Sequence, residues 1–135
     1  MIRSCGFIIF RDQPSTQFLL MEHQHRLDLP KGHVDEGETD MECALRELWE
    51  ETGFDADAID VDPDFRFTTV YQVVRRSGKL ADKELVVFLG KLKDGSREVL
   101  ITEHIGYRWV PWSPPHSIQQ QTIDPLLAAV ADHLA

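Results

Sequence analysis

The chain has 135 residues, 42% of them hydrophobic, which is the size and composition of one globular domain, 1–135, with one core. Twenty-three acidic residues against fourteen basic ones give a formal charge of -9, and this excludes a protein that holds DNA or RNA mainly through phosphate contacts. The excess is local: within residues 35–51, Asp35, Glu36, Glu38, Asp40, Glu42, Glu47, Glu50 and Glu51 are opposed by Arg46 alone, while the remainder is close to neutral.

Cys5 to Phe10 and Gln17 to Met21 are short apolar runs separated by Asp12-Gln13-Pro14-Ser15, a turn composition, and predict a hairpin. Residues 30–38 read as a tight loop. The first helix is predicted from Asp40 to Glu51. Thr39 and Glu42 form a capping-box pair, Gly53 suits the left-handed position that ends a helix, and Met41, Ala44, Leu45 and Leu48 recur as a buried stripe. Phe65 to Val74 and Glu84 to Leu92 flank Arg75-Arg76-Ser77-Gly78-Lys79 and predict a second hairpin. Tyr107 to Val110 reads as a further strand ended by Pro111. The second helix is predicted over about Pro125 to Leu134, capped by Asp124 and laid on the sheet. Strands and helices mix without regular alternation, so the class is α/β (α+β) with a mixed sheet.

Cys5 and Cys43 show no CxxC or Cys/His spacing, so two reduced, partly buried thiols are expected. The first six residues lack the zones of a signal peptide, and no apolar run approaches the roughly 18 residues of a membrane span. A soluble cytoplasmic protein, with no membrane association and no stable nucleic-acid partner, is the expectation.

Glu47, Glu50 and Glu51 stand at i, i+3 and i+4, which places three carboxylates on about one quadrant of the first helix, away from its apolar stripe. Like charges ~5 Å apart at an effective dielectric of ~20 repel by ~3 kcal/mol per pair. Arg46 can offset part of this by pairing with Glu42 or Glu50, but one guanidinium cannot neutralise the cluster. A solvated acidic face is the plainer reading of such a helix; a divalent cation is the other, and all-oxygen ligands favour Mg²⁺ or Mn²⁺ over Zn²⁺. Upstream, Pro30-Lys31-Gly32-His33 and Asp35-Glu36-Gly37-Glu38 bring backbone amides and Lys31 towards the same helix, a candidate phosphate cradle.

Gly32, five residues, Glu38, seven residues, then Arg46-Glu47-Leu48-Trp49-Glu50-Glu51-Thr52-Gly53-Phe54 resembles the Nudix box, residues 32–54, at every position. The resemblance implies an α/β/α sandwich and hydrolysis of a nucleoside diphosphate linked to another moiety. It further implies that Glu47, Glu50 and Glu51 bind the divalent ion and that Arg46 orients them. The ion would lower the pKa of a bound water and shield it from the anionic substrate; one glutamate can instead act as general base. Glu38 would brace the loop against the helix. Glu103 stands where similar proteins place an extra acidic residue that reaches the metal, and Lys31, His33 and His104 are candidate contacts to the phosphate chain, with Gly32 in the same loop. His23 and His25 read as solvent-facing residues at a strand end.

The Pro30-Lys31-Gly32-His33 run, the opening strand and Glu103-His104 with Tyr107-Arg108-Trp109 resemble the Nudix proteins that act on dinucleoside polyphosphates. The implied reaction is asymmetric cleavage of diadenosine tetraphosphate to ATP and AMP. Other pyrophosphate substrates (a nucleoside triphosphate, ADP-ribose, a diphosphoinositol or an RNA 5′ end) and a non-catalytic nucleotide-binding module are the alternatives. Such relatives often have tryptophan where Leu27 stands here, and an aromatic pair for the base. Tyr71 and Phe88 are the candidates for stacking, although strand aromatics are more often core. Arg75, Arg76, Lys79 and Lys83 cluster around the second hairpin, either as solubilising charge or as contacts to distal phosphates.

Overall fold

The computed structural model describes residues 1–101 and 106–135. Its elements are β1 (Ile2–Arg11), β2 (Gln17–Glu22), β3 (Leu27–Asp28), β4 (Lys31–His33), α1 (Asp40–Thr52), a 3-10 turn (Ala56–Ala58), β5 (Ile59–Val74), β6 (Leu80–Leu92), β7 (Gly106–Pro111) and α2 (Ile123–Leu134). The sheet is mixed, in the order β3-β2-β1-β6-β5, with β4 also on β1 and β7 also on β2. β1 runs parallel to β6 from Ile2↔Lys83 to Phe10↔Lys91, and β5 pairs β6 antiparallel.

Side chains alternate across a strand, and the two faces of this sheet are both apolar. Cys5, Phe7 and Ile9 of β1, with Leu19, Met21, Val86 and Phe88, pack against Cys43, Ala44 and Leu48 of α1. Ile8 and Phe10, with Phe18, Leu20, Leu85, Val87 and Leu89, pack against Ile123, Leu126, Leu127 and Val130 of α2. The result is the expected sandwich, helix on each side. Leu48 and Leu126 are completely buried, and such burial stabilises by about 1.5–3 kcal/mol per side chain. Met41 and Leu45 pack at the margin of the first core. Cys5 and Cys43 are both buried free thiols.

The signals at the ends of α1 act as expected. Thr39 Oγ1 accepts from Glu42 N at 3.1 Å and Glu42 Oε1 accepts from Thr39 N at 2.9 Å. Gly53 takes φ 79° at the C-terminal end, and its N–H donates to Trp49 O. The start of α2 differs from expectation. It begins at Ile123, and Gln119 Oε1 accepts from the N–H groups of Thr122 and Ile123 at 2.7 and 3.1 Å. Asp124 instead reaches back, its Oδ1 accepting from Ile118 N and Gln119 N at 2.7 and 3.1 Å. A side chain outside the helix thus does the capping, and Asp124 pins the loop that brings it there.

The first hairpin is much shorter than its two apolar runs. Only Phe10↔Phe18 and Arg11↔Gln17 pair before β1 and β2 diverge. β4 then takes β1, through Ser4↔His33 to Gly6↔Lys31, while β3 and β7 take β2. The residues expected as a tight loop therefore include one short strand, β4, and the divergence of β1 from β2 is what opens space for a site. No helix among the described residues is long and apolar enough to cross a membrane.

Candidate active site

Arg46 organises the loop and helix. Its guanidinium donates to Glu38 at 2.7 and 3.0 Å, to Glu47 at 2.9 Å, to Glu50 at 3.3 Å and to His33 O at 3.0 Å. Glu38 also accepts from Asp35 N at 2.8 Å. The Arg46 guanidinium and that N–H together hold the Glu38 carboxyl at about 2. Of the two pairings the spacing allows for Arg46, Glu50 is made and Glu42 is not, because the Glu42 carboxylate is already used by the N-cap. Arg46 is held firmly protonated, first by its bonds to Glu38.

Gly32 pairs with Cys5 on β1 and turns its missing side chain towards α1. A Cβ built there would overlap the Glu47 carboxylate, so the box glycine is required by close approach of strand to helix. Glu51 is 6% exposed and accepts from Lys31 N at 2.8 Å. Burial, then the neighbouring Glu47, push its carboxyl up to about 8, partly opposed by the Lys31 N–H and ammonium.

Glu50 and Glu51 lie in the last turn of α1, which holds no basic residue. This is the negative end of the helix dipole, where added carboxylates are unfavourable and a cation is favourable. A buried carboxyl that resists ionisation, a like charge beside it and an oxygen-only donor set fit a hard divalent cation. Glu47, Glu50 and Glu51 are the residues that would hold it. Among the described residues no three His, Cys or acidic side chains converge in ligating geometry; Arg46 draws Glu47 and Glu50 to one side while Lys31 N–H holds Glu51.

Beside Glu51, where β1 and β2 diverge, lies a cleft of about 220 Å³. Lys31, Lys83, Arg26, His23 and His33 line it together with Ser4, Asp28 and Gly32. Lys31 Nζ pairs with the buried Asp28 at 3.4 Å. Lys83 is half-buried, and burial followed by the charge of Lys31 lowers its pKa. The pKa of His33 is also lowered, by burial and then by Lys83 and Lys31. Several cations thus face one another with two carboxylates to offset them, an arrangement that an anion completes. A larger cavity of about 430 Å³ lies near Phe10, Leu89 and Leu134. It holds none of the box residues, so size does not locate the chemistry.

The structure brings together most of the residues singled out in sequence. Glu47, Glu50, Glu51 and Arg46 form the acidic side, and Lys31, Gly32, His33 and Lys83 line or border the cleft. Phe88 must be withdrawn as a stacking residue. Its ring is 8% exposed, in the core beneath α1, 5.9 Å from the Phe7 ring. Tyr71 stands opposite Lys83 across β5 and β6 and is half-buried at the margin of the second core. His23, expected in solvent, lines the cleft, whereas His25 is exposed. Arg75, Arg76 and Lys79 are exposed at the hairpin tip, apart from Lys83. Glu103 and His104 lie outside the described residues. Ser4, Arg26 and Asp28 also line the cleft; they come from two chain segments and carry no spacing signal in the sequence. Leu27 lies in β3, opposite Glu22.

The chain is similar to known proteins over most of its length. The NUDIX domain profile matches residues 2–130. The bis(5′-nucleosyl)-tetraphosphatase [asymmetrical] of Mus musculus is 38% identical over 120 residues, which cover 81% of this chain and 78% of that protein. The crystal structure of a C. elegans Ap4A hydrolase binary complex superimposes with a TM-score of 0.84 at 26% identity, covering 99% of this chain and 98% of that one. An RNA pyrophosphohydrolase of Cereibacter sphaeroides is 56% identical, but over 32 residues, 24% of this chain and 20% of its own length. With the box intact, the sandwich formed and the match spanning nearly every residue, the chain belongs to the NUDIX domain family.

Proposed function

We propose that this chain is a phosphoanhydride hydrolase of dinucleoside polyphosphates that adds water across diadenosine tetraphosphate asymmetrically, giving ATP and AMP. The observation that carries the reading is the extent of the likeness. Similarity to the asymmetrical tetraphosphatase extends over 81% of this chain, whereas similarity to the RNA pyrophosphohydrolase covers 24% of it.

In this reading the two sides of the site divide the work. Lys31, Lys83 and His33 bind the phosphate chain, and Tyr71, beside Lys83, offers a ring for a base. Arg46 holds Glu47 and Glu50 in place, and Gly32 lets Glu47 approach the strand. Glu47, Glu50 and Glu51 would hold Mg²⁺, with Mn²⁺ as a substitute. When bound, the ion supplies positive charge opposite the phosphates and lowers the pKa of water. A single domain spanning 1–135, working in the cytoplasm on a small nucleotide, accords with the charge and composition.

A substrate panel tests the proposal, with kcat/KM measured for diadenosine tetraphosphate, nucleoside triphosphates, ADP-ribose, a diphosphoinositol and 5′-triphosphorylated RNA. The dinucleoside tetraphosphate is expected to lead. Nucleoside triphosphates consumed hundreds of times faster would overturn the substrate assignment.

A further inference from the structure

Ser4 is completely buried, and its Oγ has no hydrogen-bond partner among the described residues, the one buried side-chain nitrogen or oxygen atom there in that condition. It lies on β1 between His33 of β4 and Leu85 of β6. The strand is laddered on both edges at this point, and the hydroxyl bonds to none of the surrounding carbonyls. It also borders the cleft, in company with Lys31, His33, Lys83 and Glu51. A hydroxyl shut away from water and left unpaired destabilises the protein that carries it, and alanine would fill the same position without that cost. The remaining way to satisfy Ser4 is from the cleft itself. What the cleft accommodates is set by Lys31 and Lys83, whose like charges favour an anion, and a hydroxyl donor bonds most strongly to a charged oxygen.

We propose that Ser4 is a substrate-binding residue whose Oγ donates a hydrogen bond to a phosphate oxygen seated between Lys31 and Lys83. The proposal rests on the reading of the cleft as the polyphosphate site. The long side chains of Lys31 and Lys83 border the same cleft, and their repositioning around the anion opens the contact to a hydroxyl that water does not reach. The unpaired hydroxyl of the free protein is then the donor used in the complex.

The test compares the full chain with Ser4→Ala, Ser4→Cys and Lys83→Met, measuring thermal unfolding of the free proteins and calorimetric binding of inorganic tripolyphosphate with Mg²⁺ present. Ser4→Ala is expected to unfold at the same temperature as the unaltered protein or higher, yet to bind tripolyphosphate roughly tenfold more weakly. Ser4→Cys, with nearly the same volume and only a weak donor, should follow Ser4→Ala in affinity. A less stable Ser4→Ala with unchanged affinity would make Ser4 a packing residue and overturn the proposal, as would no change in either quantity. If Lys83→Met weakens binding while both Ser4 variants do not, the Ser4 assignment alone fails. If the unaltered protein does not bind tripolyphosphate, the polyphosphate reading of the cleft fails, and the Ser4 assignment with it.

Discussion

The two sides of the site are built in opposite ways. The acidic side comes from one continuous segment, residues 32–54, and is tied together by a single guanidinium: Arg46 reaches Glu38, Glu47, Glu50 and the His33 carbonyl. The basic side is gathered from the segment between β2 and β4, where His23, Arg26, Lys31 and His33 lie, and from Lys83 of β6, with Ser4 of β1 beside them. The acidic side depends on helical spacing and a hydrogen-bonded clamp, so one lost side chain disorganises several others. The basic side depends on strand pairing, so one lost side chain removes little more than its own contact.

This difference ranks the outcomes of mutation. Glu51→Gln keeps an oxygen that can accept from Lys31 N, so the fold should persist by circular dichroism, while activity falls by roughly a thousandfold or more and Mn²⁺ binding weakens in parallel. Unchanged turnover would remove Glu51 from the proposed metal site. Arg46→Ala comes next. Loss of a group that orients ligating carboxylates is expected to lower kcat by roughly 10–100-fold, and Arg46→Lys should not restore it, because an ammonium lacks the planar fork that reaches Glu38, Glu47 and Glu50 together. Full activity in the Lys variant would show that charge alone suffices.

On the basic side, Lys83→Met should raise KM by roughly tenfold with kcat little changed, and the loss should shrink as ionic strength rises. A fall in kcat alone would move Lys83 from binding to the chemical step. The smallest effect concerns the clamp itself. The Glu38 carboxyl is held well below its ordinary value of 4.5, at about 2, so its pairing with Arg46 stabilises the folded protein above 4.5. That contribution is lost as pH falls from 4.5 towards 2. The difference in unfolding temperature between the unaltered protein and Glu38→Gln should be present at pH 7 and vanish near pH 2. A difference that persists in acid would show that the clamp is not electrostatic.

What could be read from the sequence follows the same division. The cap at Thr39 and the turn at Gly53 are signals between residues a few positions apart, and each appears in the structure as the spacing implied; the three carboxylates share α1 as the spacing implied, but Arg46 and the Lys31 N–H draw them apart. The start of α2 differs from the sequence expectation because its cap is Gln119, whose role depends on a loop that Asp124 holds. Phe88 is a stacking candidate in the sequence because the resembled relatives carry an aromatic pair for the base, yet it sits in Leu85 to Leu89, apolar without a break. Such a run belongs to a strand covered on both faces, and it does not reveal which side chain points to which core. Pairing with β1 decides it, placing Phe88 beside Phe7 under α1. Ser4 passed unnoticed for a related reason. One hydroxyl before an apolar strand means nothing until β4 and β6 close on either side and leave it unpartnered at the edge of the cleft.

In the proposed function the most acidic segment of a chain of charge -9 faces the polyphosphate held by Lys31 and Lys83 through a divalent cation on its carboxylates. The most direct measurement is separation of the products formed from diadenosine tetraphosphate with Mg²⁺ and with excess EDTA. With Mg²⁺, ATP and AMP are expected in equal amounts, with no hydrolysis in EDTA until Mg²⁺ is restored. Two molecules of ADP as product, or an undiminished rate in EDTA, would contradict the proposed function.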